Sequence, residues 1–203
     1  MKTEFRIFVE KHVAEVSRLE RDKNLAYWRA ATGGKDKDYR ELAELQFKIS
    51  RIYSGKADFE YLSDFMESGE DLDGHLARTA RILYLTYRGM QMGENLLRET
   101  SELSSSIQMK FNTFRPSIGG REVSDNDIRE ILADESDSEK RREAWEAHKK
   151  VGEEVAPGLV QLVELRNRGA AEAGFDDFYA MSLCLSETDE QELFDLMDRM
   201  DEL

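Results

Sequence analysis

Phe5, Phe8, Val9, His12, Val13, Val16, Leu19, Ala26 and Ala30 recur at three- and four-residue steps, the spacing that lines one face of an α-helix. The pattern runs from residue 3 to residue 31 and is stopped by Gly33-Gly34. At about 1.5 Å per residue, such a helix is on the order of 40 Å long. A compact chain of 203 residues has a radius of gyration of only roughly 17 Å. One helix would already span the molecule. The chain is therefore expected to be all-α, an elongated multi-helix array.

The remaining sequence repeats this periodicity in shorter lengths. Helices are expected over 36–54, 57–67, from Leu72 to near Gly93, and from 94 to about 112. The helical pattern breaks across 111–123, where Pro116 and Gly119-Gly120 interrupt alternating residues. That segment predicts an irregular β-hairpin or loop, serving as a connector or as a flap. Ser124 opens a short helix. Ser136-x-x-Glu139 and Thr188-x-x-Gln191 are capping-box patterns that should open two more. Pro157 lies inside the first of these and removes one N–H while crowding the preceding turn, so a kink or break is expected near Val155. The chain reads as one helical domain over 1–203, or as two lobes about the 111–123 segment.

Charge narrows the function classes. Lys+Arg 29 against Asp+Glu 43 gives a net charge of −14. Such a field repels phosphate backbones and anionic lipid surfaces, which argues against nucleic acid and membrane as partners. No stretch approaches the roughly 18 apolar residues of a membrane span. The start, Met1-Lys2-Thr3-Glu4-Phe5-Arg6, lacks the apolar core of a signal peptide. The lone Cys184 has no Cys or His at metal spacing and falls in an apolar run, so it reads as a small buried hydrophobe. A soluble cytoplasmic protein is the expectation.

No catalytic motif stands out. His12, His75 and His148 are the three histidines, and none has another histidine four residues on, as HExxH zinc binding requires. Val9, Leu72 and Trp145 stand three residues before them, where a carboxylate-bridged di-metal bundle would place glutamate. His12 and His148 lie on apolar stripes, which favours hydrogen-bonded core histidines over ligands. Glu153-Glu154 and Asp176-Asp177 are acid pairs that solvated faces and helix N-termini explain. Gly33-Gly34-Lys35 lacks the rest of a phosphate-binding loop, and no GxSxG elbow occurs.

Leu162 to Leu183 is the most distinctive stretch. Leu162, Leu165, Ala170 and Ala173 form an apolar helical face into which Arg166-Asn167-Arg168 is set. Gly174 stands where a helix C-terminus favours a residue free to take positive φ, and Asp176-Asp177 can start the next helix. If this helix is buried, Arg166 should pair with a buried carboxylate and Asn167 should cap or bridge helices. Arg166, Asn167, His148 and Tyr179 are the candidate site residues, as a buried polar network or as groups facing a substrate channel.

Leu165-Arg166-Asn167, the small residues after it, Ala173-Gly174-Phe175 and Asp177-Phe178-Tyr179 together resemble the stretch preceding the catalytic half of helical zinc peptidases. These are the thimet oligopeptidase and oligoendopeptidase F families, with the angiotensin-converting-enzyme-like dipeptidases as relatives. Arg142, Ala144-Trp145-Glu146-Ala147 and Asn24-Leu25-Ala26-Tyr27-Trp28 resemble the amino-terminal half of the same families. The resemblance implies one wall of a deep channel, opposite a carboxyl-terminal half that supplies HExxH, and zinc-dependent hydrolysis of short peptides by the whole protein. It implies zinc for that parent enzyme and no cofactor in this chain, which alone should be inactive. The stripe of Leu193, Phe194, Leu196, Met197 and Met200 still runs at Leu203 without a glycine or basic last turn. A chain cut short of its natural end is therefore expected, with the missing catalytic half, or a second copy, as partner for that face. A stand-alone helical interaction module and a degenerate peptidase homologue are the alternative readings.

Overall fold

A computed structural model describes residues 2–202. In chain order these form α1 (Lys2–Gly33), α2 (Asp36–Tyr53), α3 (Lys56–Glu67), α4 (Gly74–Arg88) and α5 (Glu94–Thr113). A hairpin of β1 (Ser117–Ile118) and β2 (Arg121–Glu122) follows. Then come α6 (Asp125–Asp134), α7 (Ser138–Lys149), α8 (Val151–Glu172), α9 (Phe178–Leu185) and α10 (Glu190–Asp201). The protein is all-α with one small antiparallel hairpin.

α1 carries 32 residues, roughly 48 Å at 1.5 Å per residue. Its buried residues Phe5, His12, Val16, Ala26 and Ala30 fall on one stripe and meet different neighbours along its length. Near the start, Phe5 enters a core with Leu62 and Phe65 of α3 and Ala80, Leu83 and Tyr87 of α4. The Phe5 and Phe65 rings stack with centroids 4.3 Å apart. Farther along, Ala26 packs with Leu42 and Leu45 of α2. α5 then lies between α2 and α8. Gly158 permits the α5–α8 approach, since a Cβ there would come within 3.0 Å of Ile107.

Local chemistry fixes the ends of the elements. The Asp73 carboxylate accepts from the Leu76 N–H at 3.0 Å and so caps α4, while Lys2 and Arg6 reach it from α1. That backbone hydrogen bond, then the two cations, hold Asp73 below the usual carboxylate range. Ser124 and Asp127 form a reciprocal capping box at α6. Gly119 and Gly120 both take positive φ, 58° and 80°, the two-residue connection that suits the twist of a hairpin.

Five boundaries differ from the sequence reading. α4 starts at Gly74 and ends at Arg88, because Asp73 supplies its cap and the chain turns at Gly89. Asp137 caps α7 in place of Ser136, and Asp189 caps α10 in place of Thr188. In both cases a carboxylate one residue further on takes the exposed N–H groups and meets the dipole as a full charge. The helix breaks at Lys150, between α7 and α8, and Pro157 lies inside α8. Pro157 and Glu153 are both exposed, so the Glu153 carbonyl deprived of its helical donor faces water.

Candidate functional site

The corner between α8 and α9 gathers three of the four candidate residues. α8 ends in a Schellman motif: the Phe175 N–H donates to the Ala170 carbonyl at 2.9 Å, and the Gly174 N–H to Ala171 at 3.1 Å. Gly174 takes φ +82°, which turns the chain without Cβ strain. Asp177 caps α9, accepting from the Ala180 N–H at 2.8 Å. Asn167 spans the corner, its Oδ1 accepting from the Phe178 N–H at 3.0 Å. The Arg166 guanidinium stands 4.9 Å over the Phe178 ring. Arg88 of α4 closes the corner from below, over the Phe175 ring at 4.6 Å.

The polarity of this corner differs from a buried network. Arg166 is half-buried, while Asn167 and Tyr179 are exposed. Among the described residues no ion pair forms at Arg166, and an aromatic face takes the place of the expected carboxylate. The cause lies in α8, which buries Leu162, Leu165, Gly169 and Ala170 on one side only. Desolvation, then the Glu190 and Asp177 carboxylates, raise the Tyr179 hydroxyl above its ordinary range. His148 stands apart from the corner, on α7. Its Nδ1 lies 3.5 Å from Asp125 Oδ1, close enough for attraction if charged, without the geometry of a hydrogen bond.

A second polar group, at His12, joins four helices. Tyr87 donates to Asp58 Oδ2 at 3.2 Å, so its oxygen is left to accept from His12 Nδ1 at 3.2 Å. The other ring nitrogen, Nε2, then accepts from the Tyr53 hydroxyl at 3.3 Å. This directional chain fixes the neutral Nδ1–H tautomer of a buried imidazole. Burial lowers the His12 pKa, with the Asp58 and Glu15 charges opposing. Burial, then Asp58, pushes the Tyr87 hydroxyl far above the ordinary phenol range. His12 showed in the sequence as a stripe residue. Tyr53 and Tyr87 also fall on the apolar stripes of their helices, but no local signal marks Asp58 or brings the four together, because they come from separate helices.

No zinc site can be built from these groups. Among the described residues there is no group of three or more His, Cys, Asp or Glu side chains placed to hold a metal. His12 is committed to two tyrosines, His75 lies exposed on α4, and His148 faces Asp125. No helix among the described residues is long and apolar enough to cross a membrane.

Two helix faces are left open. On α8, Leu159, Val160 and Val163 are exposed beside the buried stripe. α10 has no buried residue at all. An open cavity of about 880 Å³ runs along it, lined by Leu193 and Leu196 together with Glu192, Asp195, Asp198 and Arg199.

The fold is a long-helix body with a polar corner and open apolar faces, and among the described residues no set of side chains is placed to hold a metal. The family model of angiotensin-converting enzyme, peptidase family M2, matches residues 1–202, and the chain belongs to that family. The match is to the relatives named in the sequence resemblance rather than to thimet oligopeptidase or oligoendopeptidase F themselves. Comparison with curated proteins finds no match.

Proposed function

We propose that this chain is the amino-terminal helical wall of a zinc-dependent peptidase channel that admits short peptides. The carrying observation is the family match over residues 1–202 in a chain whose three histidines occupy no shared site. Hydrolysis then depends on residues supplied by the opposite, carboxyl-terminal half, where HExxH would hold zinc and position the attacking water. The Leu165–Tyr179 segment extends the proposal to kinship with thimet oligopeptidase and oligoendopeptidase F, and the acidic composition, with its net charge of −14, extends it to a cytoplasmic enzyme. Support also comes from α10. A self-contained interaction module would bury its apolar stripe, whereas Phe194, Leu196, Met197 and Met200 are 48% to 65% exposed.

The test is reconstitution. A coding frame continuing past Leu203 into HExxH is expected. This chain, mixed with the separately produced remainder, should hydrolyse an internally quenched short peptide in a zinc-dependent reaction that neither part performs alone. A frame that stops at Leu203, or chelator-sensitive hydrolysis by this chain by itself, would overturn the reading.

A further inference from the structure

We infer that the outer face of α10 docks an amphipathic helix whose apolar seam is bordered by lysine or arginine. At helical spacing Leu193, Leu196, Met197 and Met200 share one face, with Phe194 at its edge. Met197 and Met200 are 53% and 65% exposed. Glu192 borders one margin of that face and Glu190 and Asp201 the other, while Asp195 and Asp198 lie on the back of the helix. Arg199 is the one base in residues 189–202.

The distribution of these acids selects the occupant. Asp189, Glu190 and Glu192 stand at the N-terminal end of α10, where the helix dipole favours negative charge. Asp198 and Asp201 lie in its last turns, where the dipole opposes them, and neither forms an ion pair among the described residues. Asp201 borders the seam, and a cation on a partner docked there would satisfy it. A second copy of this chain would instead set acid against acid, within a net charge of −14. Methionines on the seam suit a helix partner, since their flexible thioethers adapt to facing side chains.

The chain also fixes where α10 points. Glu187, in the turn before it, takes φ +56°, a left-handed conformation that glycine usually supplies. Its carboxylate is gripped by Arg78 and, at 3.2 Å, by Arg81 Nε, both from α4. Those cations hold Glu187 below the usual carboxylate range, the Arg78 hydrogen bond first. The Thr188 N–H donates to the Leu183 carbonyl at 2.9 Å and completes the turn. α10 thus leaves the body in a set direction with its seam outward.

Calorimetric titration with two synthetic helices of about 18 residues tests the inference. Both carry the same leucine seam, one bordered by lysine and the other by glutamate. The lysine-bordered peptide should bind at least about tenfold more tightly at low ionic strength, and its advantage should shrink in about 0.5 M salt. Glu192→Lys with Asp201→Lys should invert the preference, and Met197→Ser with Met200→Ser should weaken both peptides. Equal binding, no binding of either, or sedimentation as a dimer dissolved by Met197→Glu would overturn it. The titration reads α10 alone and reconstituted hydrolysis reads the peptidase role, so either can fail without the other.

Discussion

His12 is the residue on which the packing of α1 against α2, α3 and α4 is most sensitive to solution conditions. Its neutral ring donates to Tyr87 and accepts from Tyr53, and a proton added at Nε2 would face a hydroxyl hydrogen. Because burial sets the folded pKa below the ordinary 6.5, protonation favours the unfolded chain. The contribution of His12 is thus fully present above about pH 6.5 and is lost as pH falls through the depressed native value. Melting temperature should decline between about pH 7 and pH 5, and His12→Gln should flatten that decline. Parallel profiles for the two proteins would show that His12 is not the titrating group. Glu172 sets a second expectation at this scale. Gly93 gives α5 no side-chain cap, and Glu172 Oε2 of α8 accepts its N–H at 2.6 Å. Glu172→Ala should cost about 1 kcal/mol in urea unfolding, and an unchanged midpoint would mean that water caps α5 equally well.

At the scale of elements, α8 carries two glycines with opposite roles. Gly169 is buried where α8 meets the turn before α5, and a Cβ there would lie 2.7 Å from Met92 Sδ. Gly169→Val should therefore destabilise by about 1–3 kcal/mol through overpacking. Gly152 has open space around it, so Gly152→Ala should stabilise by about 0.5 kcal/mol, by restricting the unfolded chain. Urea midpoints moving in the same direction for both variants would contradict this division. Helix order and class were legible in the sequence because apolar periodicity is a local signal, but α7 and α8 read as one helix with a kink or break near Val155, and the break falls at Lys150. The hairpin was legible as a break, since Gly119-Gly120 has few other uses between polar segments. Cap positions were less so: Ser136 beside Asp137 and Thr188 beside Asp189 offer two acceptors each, and only the backbone path selects between them. Nothing in Ser186-Glu187-Thr188 announced a left-handed glutamate, because the arginines that hold it lie about a hundred residues upstream.

For the whole molecule, two global properties act against each other. The net charge of −14 keeps copies apart, while the open faces of α8 and α10 would hold them together once that charge is removed. The sequence marked the α10 face as an unfinished stripe. It did not mark the α8 face, because Leu159, Val160 and Val163 stand beside Leu162 and Leu165 and composition alone cannot say which side α5 covers. The same ambiguity made Arg166 and Asn167 look buried. Solubility should accordingly fall to a minimum near the sequence pI of about 4.8, through contacts between these faces. Val160→Thr with Val163→Thr leaves the charge and nearly the shape unchanged while making the α8 face polar. That variant should scatter less light around pH 5 and bind less of a hydrophobic dye at neutral pH, with its melting temperature preserved because both positions lie outside the core. Scattering equal to that of the parent would locate the contact on α10 instead, and Met197→Ser with Met200→Ser should then suppress it.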